Sequence, residues 1–145
     1  MGLDIITYQN HENDFWCKMG PFFAYRKFAH EMGGWQFYTK DSSIWFVAFI
    51  DNEIVGFNSI IYEKTHNYFD NFYIMSAHRG KSISRHLHNK RLEYALQMNR
   101  EIRVITNNPI QINRYKKNNF IHYGMRGQYH KFKLYANTDT VPQQP

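Results

Sequence analysis

The chain has 145 residues, the size of one ordinary domain of roughly 100–150, so a single domain is expected over residues 1–136 with a flexible polar tail at 137–145. A composition that is 43% hydrophobic and 18% aromatic excludes wholesale disorder, and the longest apolar run, residues 44–50, is far short of the about 20 residues a membrane-crossing helix needs. Net charge is +6 and unevenly placed: residues 1–70 hold five Lys/Arg against nine Asp/Glu, and residues 71–145 hold thirteen against three. The basic second half is a solvated face or handles an anion, either a nucleic-acid backbone or a phosphorylated cofactor.

Residues 3–8 predict a short first strand. Residues 11–19 and 21–32 read as two helices, the second opening with Pro21 in its first turn and closing on Gly33-Gly34. Phe22, Phe23, Tyr25 and Phe28 are expected in the core and a cleft wall, and the lone Cys17 is expected to be buried on the first helix. A single cysteine excludes a disulfide framework and a Cys-based zinc cluster. With a start, Met1-Gly2-Leu3-Asp4, that lacks a basic flank and apolar stretch, it leads us to expect a cytoplasmic protein.

Residues 44–50 form a continuous run of strand formers, as in a strand covered on both faces. The turn Asp51-Asn52 joins it to a second strand at 53–62 as a hairpin. A third strand at 66–75 sets Phe69, Asn71 and Tyr73 on one face and Asp70, Phe72 and Ile74 on the other. After Gly80 the period becomes helical: Ile83, Leu87, Tyr94, Ala95 and Met98 mark a face, interrupted by Arg91, that reaches about residue 99. A β-branched strand at 102–106 follows. Asn108 then caps a helix at 109–118 with Pro109 in its first position, and Asn119 suits the left-handed residue that ends it.

Strands at 120–123 and 129–135 close the chain, the latter expected at the edge of a homodimer. The order implies an α/β fold (α+β by some schemes) with a mixed, mostly antiparallel sheet of about seven strands and helices on both faces. Among eight histidines, His86 and His88 are two apart on a helix and point to different faces, and no other set has ligand spacing, so no metal is expected.

Chemistry concentrates in the stretch from Tyr73 through Ile74, Met75 and Arg79-Gly80-Lys81-Ser82-Ile83-Ser84-Arg85: a strand, a basic turn and the start of a long helix. A helix start presents unpaired backbone N–H groups at the positive end of its dipole, which suits a phosphate or pyrophosphate, and Arg79, Lys81 and Arg85 add charge. A solvated, capped helix start is the plainer alternative.

Arg79-Gly80-Lys81-Ser82-Ile83-Ser84 resembles the Arg/Gln-x-x-Gly-x-Gly/Ala pyrophosphate loop of the GNAT superfamily of acyl-CoA-dependent N-acetyltransferases. The hairpin 46–57 is similar to that family's second and third strands, and Tyr115-Lys116-Lys117-Asn118-Asn119-Phe120 to its Tyr-x-Lys-x-Gly-Phe segment. The resemblance implies a GNAT-like sheet whose fourth and fifth strands splay into a V-shaped opening for acetyl-CoA. It implies that the backbone of Ile74 and Met75 pairs with the pantetheine arm, that N–H groups from Gly80 to Arg85 hold the pyrophosphate, and that Asn108 flanks the pantetheine. Ser82, Ser84 and Asn119 depart from glycine or alanine in that pattern, and Gln111 and Arg114 stand where the family carries small or apolar residues.

The implied reaction is acetyl transfer to a primary amine of a small molecule or protein, through a ternary complex. Amine attack on a thioester needs a base, an oxyanion donor and an acid for the thiolate. The resemblance places the acid at Tyr115, whose phenol pKa of about 10 is near enough to a thiol's to share its proton; the plainer alternative for Tyr115 is a core aromatic on the last helix. Asp70 reads as a base, directly or through water, or as a strand-end carboxylate paired with an arginine. Two other classes stay open: a nucleic-acid-modifying or nucleic-acid-binding protein of the same fold, and a catalytically degenerate GNAT scaffold.

Overall fold

The computed structural model describes residues 2–31 and 37–135, so Gly33-Gly34 and the tail at 137–145 lie outside the described residues. The elements are β1 (Leu3–Gln9), α1 (Asn13–Ala24), α2 (Arg26–Glu31), β2 (Ser43–Ile50), β3 (Glu53–Tyr62), β4 (Asn67–Ile74), a 3-10 turn (Ser76–His78), α3 (Ile83–Leu96), β5 (Glu101–Thr106), α4 (Pro109–Lys117), β6 (Ile121–Arg126) and β7 (Tyr129–Tyr135). The seven strands pair in the order β1-β2-β3-β4-β5-β7-β6, with β4 parallel to β5. This is the expected mixed sheet of an α/β fold.

Three expectations need correction. The strand at 129–135 is not at an edge: β7 pairs with β5 on one side and β6 on the other, because the turn at Gly127 (φ 59°) folds β6 outward onto it. The first helix is not broken before Pro21. Proline there removes one N–H without preventing helical φ, and α1 runs on to Tyr25, which turns extended (φ −89°, ψ 126°). That break brings Phe28 onto Phe22, ring centroids 4.6 Å apart, whereas positions six apart on one continuous helix diverge by about 120°. Cys17 is exposed, because Phe15, Met19 and Phe22, spaced four and three apart, take the inward face of α1.

The chain divides into two compact units, Met1–Ile61 with Asp70–Arg91, and Tyr62–Phe69 with Leu92–Pro145. In the first, Asp51 (φ 50°) and Asn52 (φ 65°) make the left-handed pair of a tight hairpin turn between β2 and β3. Phe15, Met19, Phe22 and Phe28 from the helices bury against Trp45, Phe57 and Tyr73 of the strands. These rings meet edge-on or tilted, as the ring quadrupole favours, Phe37 at 4.9 Å from Phe57 and 5.5 Å from Tyr73. On the opposite face Gly56 is hemmed in by its neighbours on β4 and α3: a Cβ there would sit 2.7 Å from Ile74 Cδ1, 2.9 Å from the Tyr73 carbonyl and 3.3 Å from Leu87 Cδ1. Only glycine fits there.

In the second unit Arg100 organises the connection into β4. Its guanidinium donates to the carbonyls of Glu63, Lys64 and His66 and to Asn67 Oδ1, and lies 3.7 Å from the Tyr62 ring centroid. Asn108 caps α4 as expected, its Oδ1 accepting from the N–H of Ile110 (2.9 Å) and Gln111 (3.2 Å). At the other end Asn119 takes φ 69°, the conformation its side chain tolerates.

Candidate functional site

β4 ends at Ile74, the 3-10 turn follows Met75, and residues 79–82 deliver the chain to α3. Gly80 (φ 80°) and Ser82 (φ 67°) are both left-handed and bracket Lys81. Beyond its chain neighbours, no atom lies within 4 Å of where a Gly80 Cβ would be, so conformation rather than crowding favours glycine there. Ser82 holds the same region with a side chain, at a cost of about 1–2 kcal/mol. The first helical bond runs from the His86 N–H to the Ser82 carbonyl (3.2 Å), so the N–H groups of Ile83, Ser84 and Arg85 precede the ladder. Ile83 is buried and anchors the helix start, Ser84 is half-buried, and Arg79, Gly80, Lys81, Ser82 and Arg85 are exposed. Left-handed turns ahead of a helix are the kind of backbone in which successive N–H groups converge on an anion. Open space at Gly80 and three flanking cations suit a diphosphate.

Beside the loop, the end of β4 carries a bonded triad. Arg79 donates from Nε to the Ile74 carbonyl (2.9 Å) and from a terminal nitrogen to Glu31 Oε2 (3.0 Å). Tyr73 donates its hydroxyl to the same Oε2 (2.9 Å), and the guanidinium lies 5.7 Å from the Tyr73 ring centroid. Burial first, and then the Glu31 carboxylate, push the Tyr73 phenol up to about 12. The N–H of Met75 donates to the Val55 carbonyl (2.9 Å) and its own carbonyl accepts from His78 (2.8 Å). Both Met75 backbone groups thus serve the fold, and Ile74 is the member of that pair whose carbonyl points away from β3, where Arg79 meets it.

Asp70 is half-buried on the face of β4 that also carries Phe72 and Ile74. Burial pushes its carboxyl above the ordinary value, opposed by the hydrogen bond from the Asn71 N–H and by the charge of Arg91. Arg91 is 1% exposed, donates to the carbonyls of Ser59 and Asp70 (3.2 Å each) and stacks 5.7 Å from the Phe72 centroid. On the opposite face Asn71, left-handed at φ 57°, brackets the backbone of Tyr38, accepting from its N–H (2.7 Å) and donating to its carbonyl (2.6 Å). In the second unit Tyr115 is 1% exposed, its ring packed on Phe120 (4.9 Å) and Phe132 (5.9 Å). Gln111, one helical turn earlier on α4, is also buried. Asn108 is exposed at the helix start.

Residues 8–120 match the Acetyltransferase (GNAT) family. The chain belongs to that family. No curated protein sequence matches the chain. Among solved structures, PH1933 from Pyrococcus horikoshii OT3 superposes with a TM-score of 0.69 at 19% identity, covering 93% of this chain and 99% of that one. A GNAT-family acetyltransferase from Staphylococcus aureus Mu50 gives 0.66 at 12% identity over 94% and 100%. PaiA N-acetyltransferase from Thermoplasma acidophilum, in complex with coenzyme A, gives 0.63 at 12% identity over 93% and 99%. These likenesses share the GNAT fold.

Within this GNAT-family chain, Arg79, Gly80, Lys81 and Ser82 form the loop before α3, Ile83, Ser84 and Arg85 open that helix, and Ile74 and Met75 precede the 3-10 turn that leads into the loop. Glu31 was not singled out in the sequence, because 42 residues separate it from Tyr73 and 48 from Arg79. Only the pairing of a helix end with a strand end brings them together. An open cleft of about 300 Å³ lined by Lys18, Phe22, Phe49, Asn52, Glu53 and Ile54 shares no residue with the loop. Among the described residues no group of three or more His, Cys, Asp or Glu could hold a metal, and no helix is long and apolar enough to cross a membrane.

Proposed function

We propose that the chain is an acyl-CoA-dependent N-acyltransferase that moves an acetyl group from acetyl-CoA to a primary amine. The observation that carries this reading is the exposed turn with left-handed Gly80 and Ser82, flanked by Arg79, Lys81 and Arg85 and opening into α3. N–H groups from Gly80 to Arg85 hold the diphosphate, with the cations adding charge-assisted bonds. Ile74 and Met75 line the pantetheine arm, and Asn108 flanks it. Acetyl-CoA supplies an activated thioester carbonyl and a thiolate leaving group.

The remaining work falls to side chains. Asp70 is the base in this reading: a carboxyl raised by burial holds a proton better than an ordinary one, which brings it nearer the range a base needs at neutral pH. Tyr115 is the acid, a neutral phenol held against Phe120 and Phe132 that gives its proton to the departing thiolate and regains one from water.

Acetyl-CoA at a hundredfold excess over Kd should stabilise the protein by about 3 kcal/mol, read as a rise in Tm. No rise at millimolar acetyl-CoA would overturn the reading. Tyr115→Phe should lower turnover about a hundredfold while leaving coenzyme A affinity unchanged. Unaltered turnover in a folded Tyr115→Phe protein removes Tyr115 from the acid role.

A further inference from the structure

Glu31 and Tyr73 form a seat for a cation, and the chain fills it with the side chain of Arg79. Three observations define the seat. The Glu31 carboxylate, a third exposed, accepts from both Tyr73 and Arg79. The face of Tyr73 lies under the guanidinium at 5.7 Å, the arrangement in which a ring quadrupole attracts a positive charge. Tyr73 is itself fixed, its centroid 5.8 Å from Phe28, 5.5 Å from Phe37 and 5.6 Å from Phe57. A rigid ring and a carboxylate that share a hydrogen bond make a prebuilt site for an ammonium or guanidinium head.

The present occupant is not locked in. Arg79 is half exposed, in contrast to Arg91, and the next residue is left-handed Gly80 with open space around its α-carbon. Arg79 also belongs to the turn that the acyltransferase reading assigns to the diphosphate. Its Nε–H and one terminal N–H face Ile74 and Glu31, so a diphosphate that takes that edge of the guanidinium fork displaces Glu31. The two anions therefore compete for one guanidinium, and a phosphate, with more charge and more acceptor oxygens than a single carboxylate, is the stronger partner.

We propose that Glu31 and Tyr73 are the binding seat for the acceptor's cationic head, that Arg79 occupies it in the free protein, and that the cofactor's diphosphate draws Arg79 out. Cofactor and acceptor then bind with positive coupling through one side chain, and the withdrawal also uncovers the Ile74 carbonyl. The acceptor class is a molecule with two amino groups. The seated one is protonated, on an arm slim enough to replace a guanidinium. The other reacts, since Asp70 lies on the opposite face of β4 from Tyr73. This rests on the acyl-CoA reading, and the arms below make the two fail separately.

Coenzyme A titrated calorimetrically should bind Glu31→Gln about three- to tenfold more tightly than the unaltered chain, because Arg79 no longer leaves a carboxylate. Arg79→Ala should bind it about tenfold more weakly. n-Butylammonium, followed by NMR shifts, should bind the coenzyme-A-loaded chain and the free Arg79→Ala chain at least about fivefold more tightly than the free unaltered chain. Adding Glu31→Gln to Arg79→Ala should abolish that gain. Equal coenzyme A affinity in Glu31→Gln, or n-butylammonium affinity indifferent to Arg79→Ala, overturns the proposal. If the unaltered chain binds no coenzyme A, the acyltransferase reading and the coupling fall together, while the Arg79→Ala arm still decides the seat.

Discussion

Two arginines twelve positions apart, one in the loop before α3 and one within that helix, show how burial separates structure from recruitable charge. Arg91 is sealed under β3 and β4, with carbonyl oxygens of Ser59 and Asp70 as acceptors and Phe72 beneath it. Arg79 meets a carbonyl too, but half its surface is in water and its anion is a side chain that is also partly wet. A buried cation with fixed acceptors cannot leave without stranding them, whereas an exposed pair gives up about 0–1 kcal/mol when it parts. Charge at the loop is therefore available to a ligand, and charge in the middle of α3 is committed to the fold.

The largest expected effect breaks the committed side. Arg91→Ala removes the donor from two buried carbonyls and empties a side-chain volume, so chemical denaturation should show a loss of about 3 kcal/mol or more. Arg79→Ala should cost under about 1 kcal/mol in the same measurement. Equal losses would erase the distinction between the two.

That distinction was only half legible in the sequence. The hairpin at 44–62, the cap at Asn108 and the change of period after Gly80 could be read because turn and cap chemistry are local. Arg91 appeared only as a break in an apolar stripe, since the carbonyls it satisfies come from Ser59 and Asp70, 32 and 21 residues away. Glu31 had no local signal at all. The inner position of β7 was equally hidden, because the alternating pattern of residues 129–135 fits an edge strand as well as one paired on both sides. For the site itself, the loop from Arg79 to Arg85 could be located by its residues, but not that Ser82 would adopt φ 67°.

Asp70 sharpens the comparison from the anionic side, because it lies near the buried arginine and still has a carboxyl raised by burial. A group whose folded-state pKa is raised favours folding when protonated. Its contribution is complete below the ordinary value near 3.8 and is lost as pH climbs through the folded value. Asp70→Asn keeps an oxygen for the Asn71 N–H and removes the buried charge. The variant should therefore melt higher than the unaltered protein at pH 7, with the difference shrinking to nothing as pH falls toward the ordinary carboxylate value. If the advantage instead grows toward acid, Arg91 outweighs burial and holds the carboxylate charged. Under the proposed mechanism the same substitution removes the base, so turnover falls while stability rises.

The smallest effect concerns the loop, where local strain and ligand geometry pull on one residue. Ser82 holds a left-handed backbone that costs a side-chain-bearing residue about 1–2 kcal/mol, and the offset is not visible in any packing around it, since it is exposed. Ser82→Gly relieves the strain but gains freedom in the unfolded chain, the two partly cancelling, so the net stabilisation should be about 0.5–1 kcal/mol, or a few degrees in Tm. Coenzyme A affinity then separates two meanings of the serine. If the backbone alone grips the diphosphate, Ser82→Gly binds it as well or better. If affinity falls despite the gain in stability, the hydroxyl is a ligand in its own right, and the strain at Ser82 is the cost of holding that hydroxyl where a phosphate oxygen can accept its hydrogen bond.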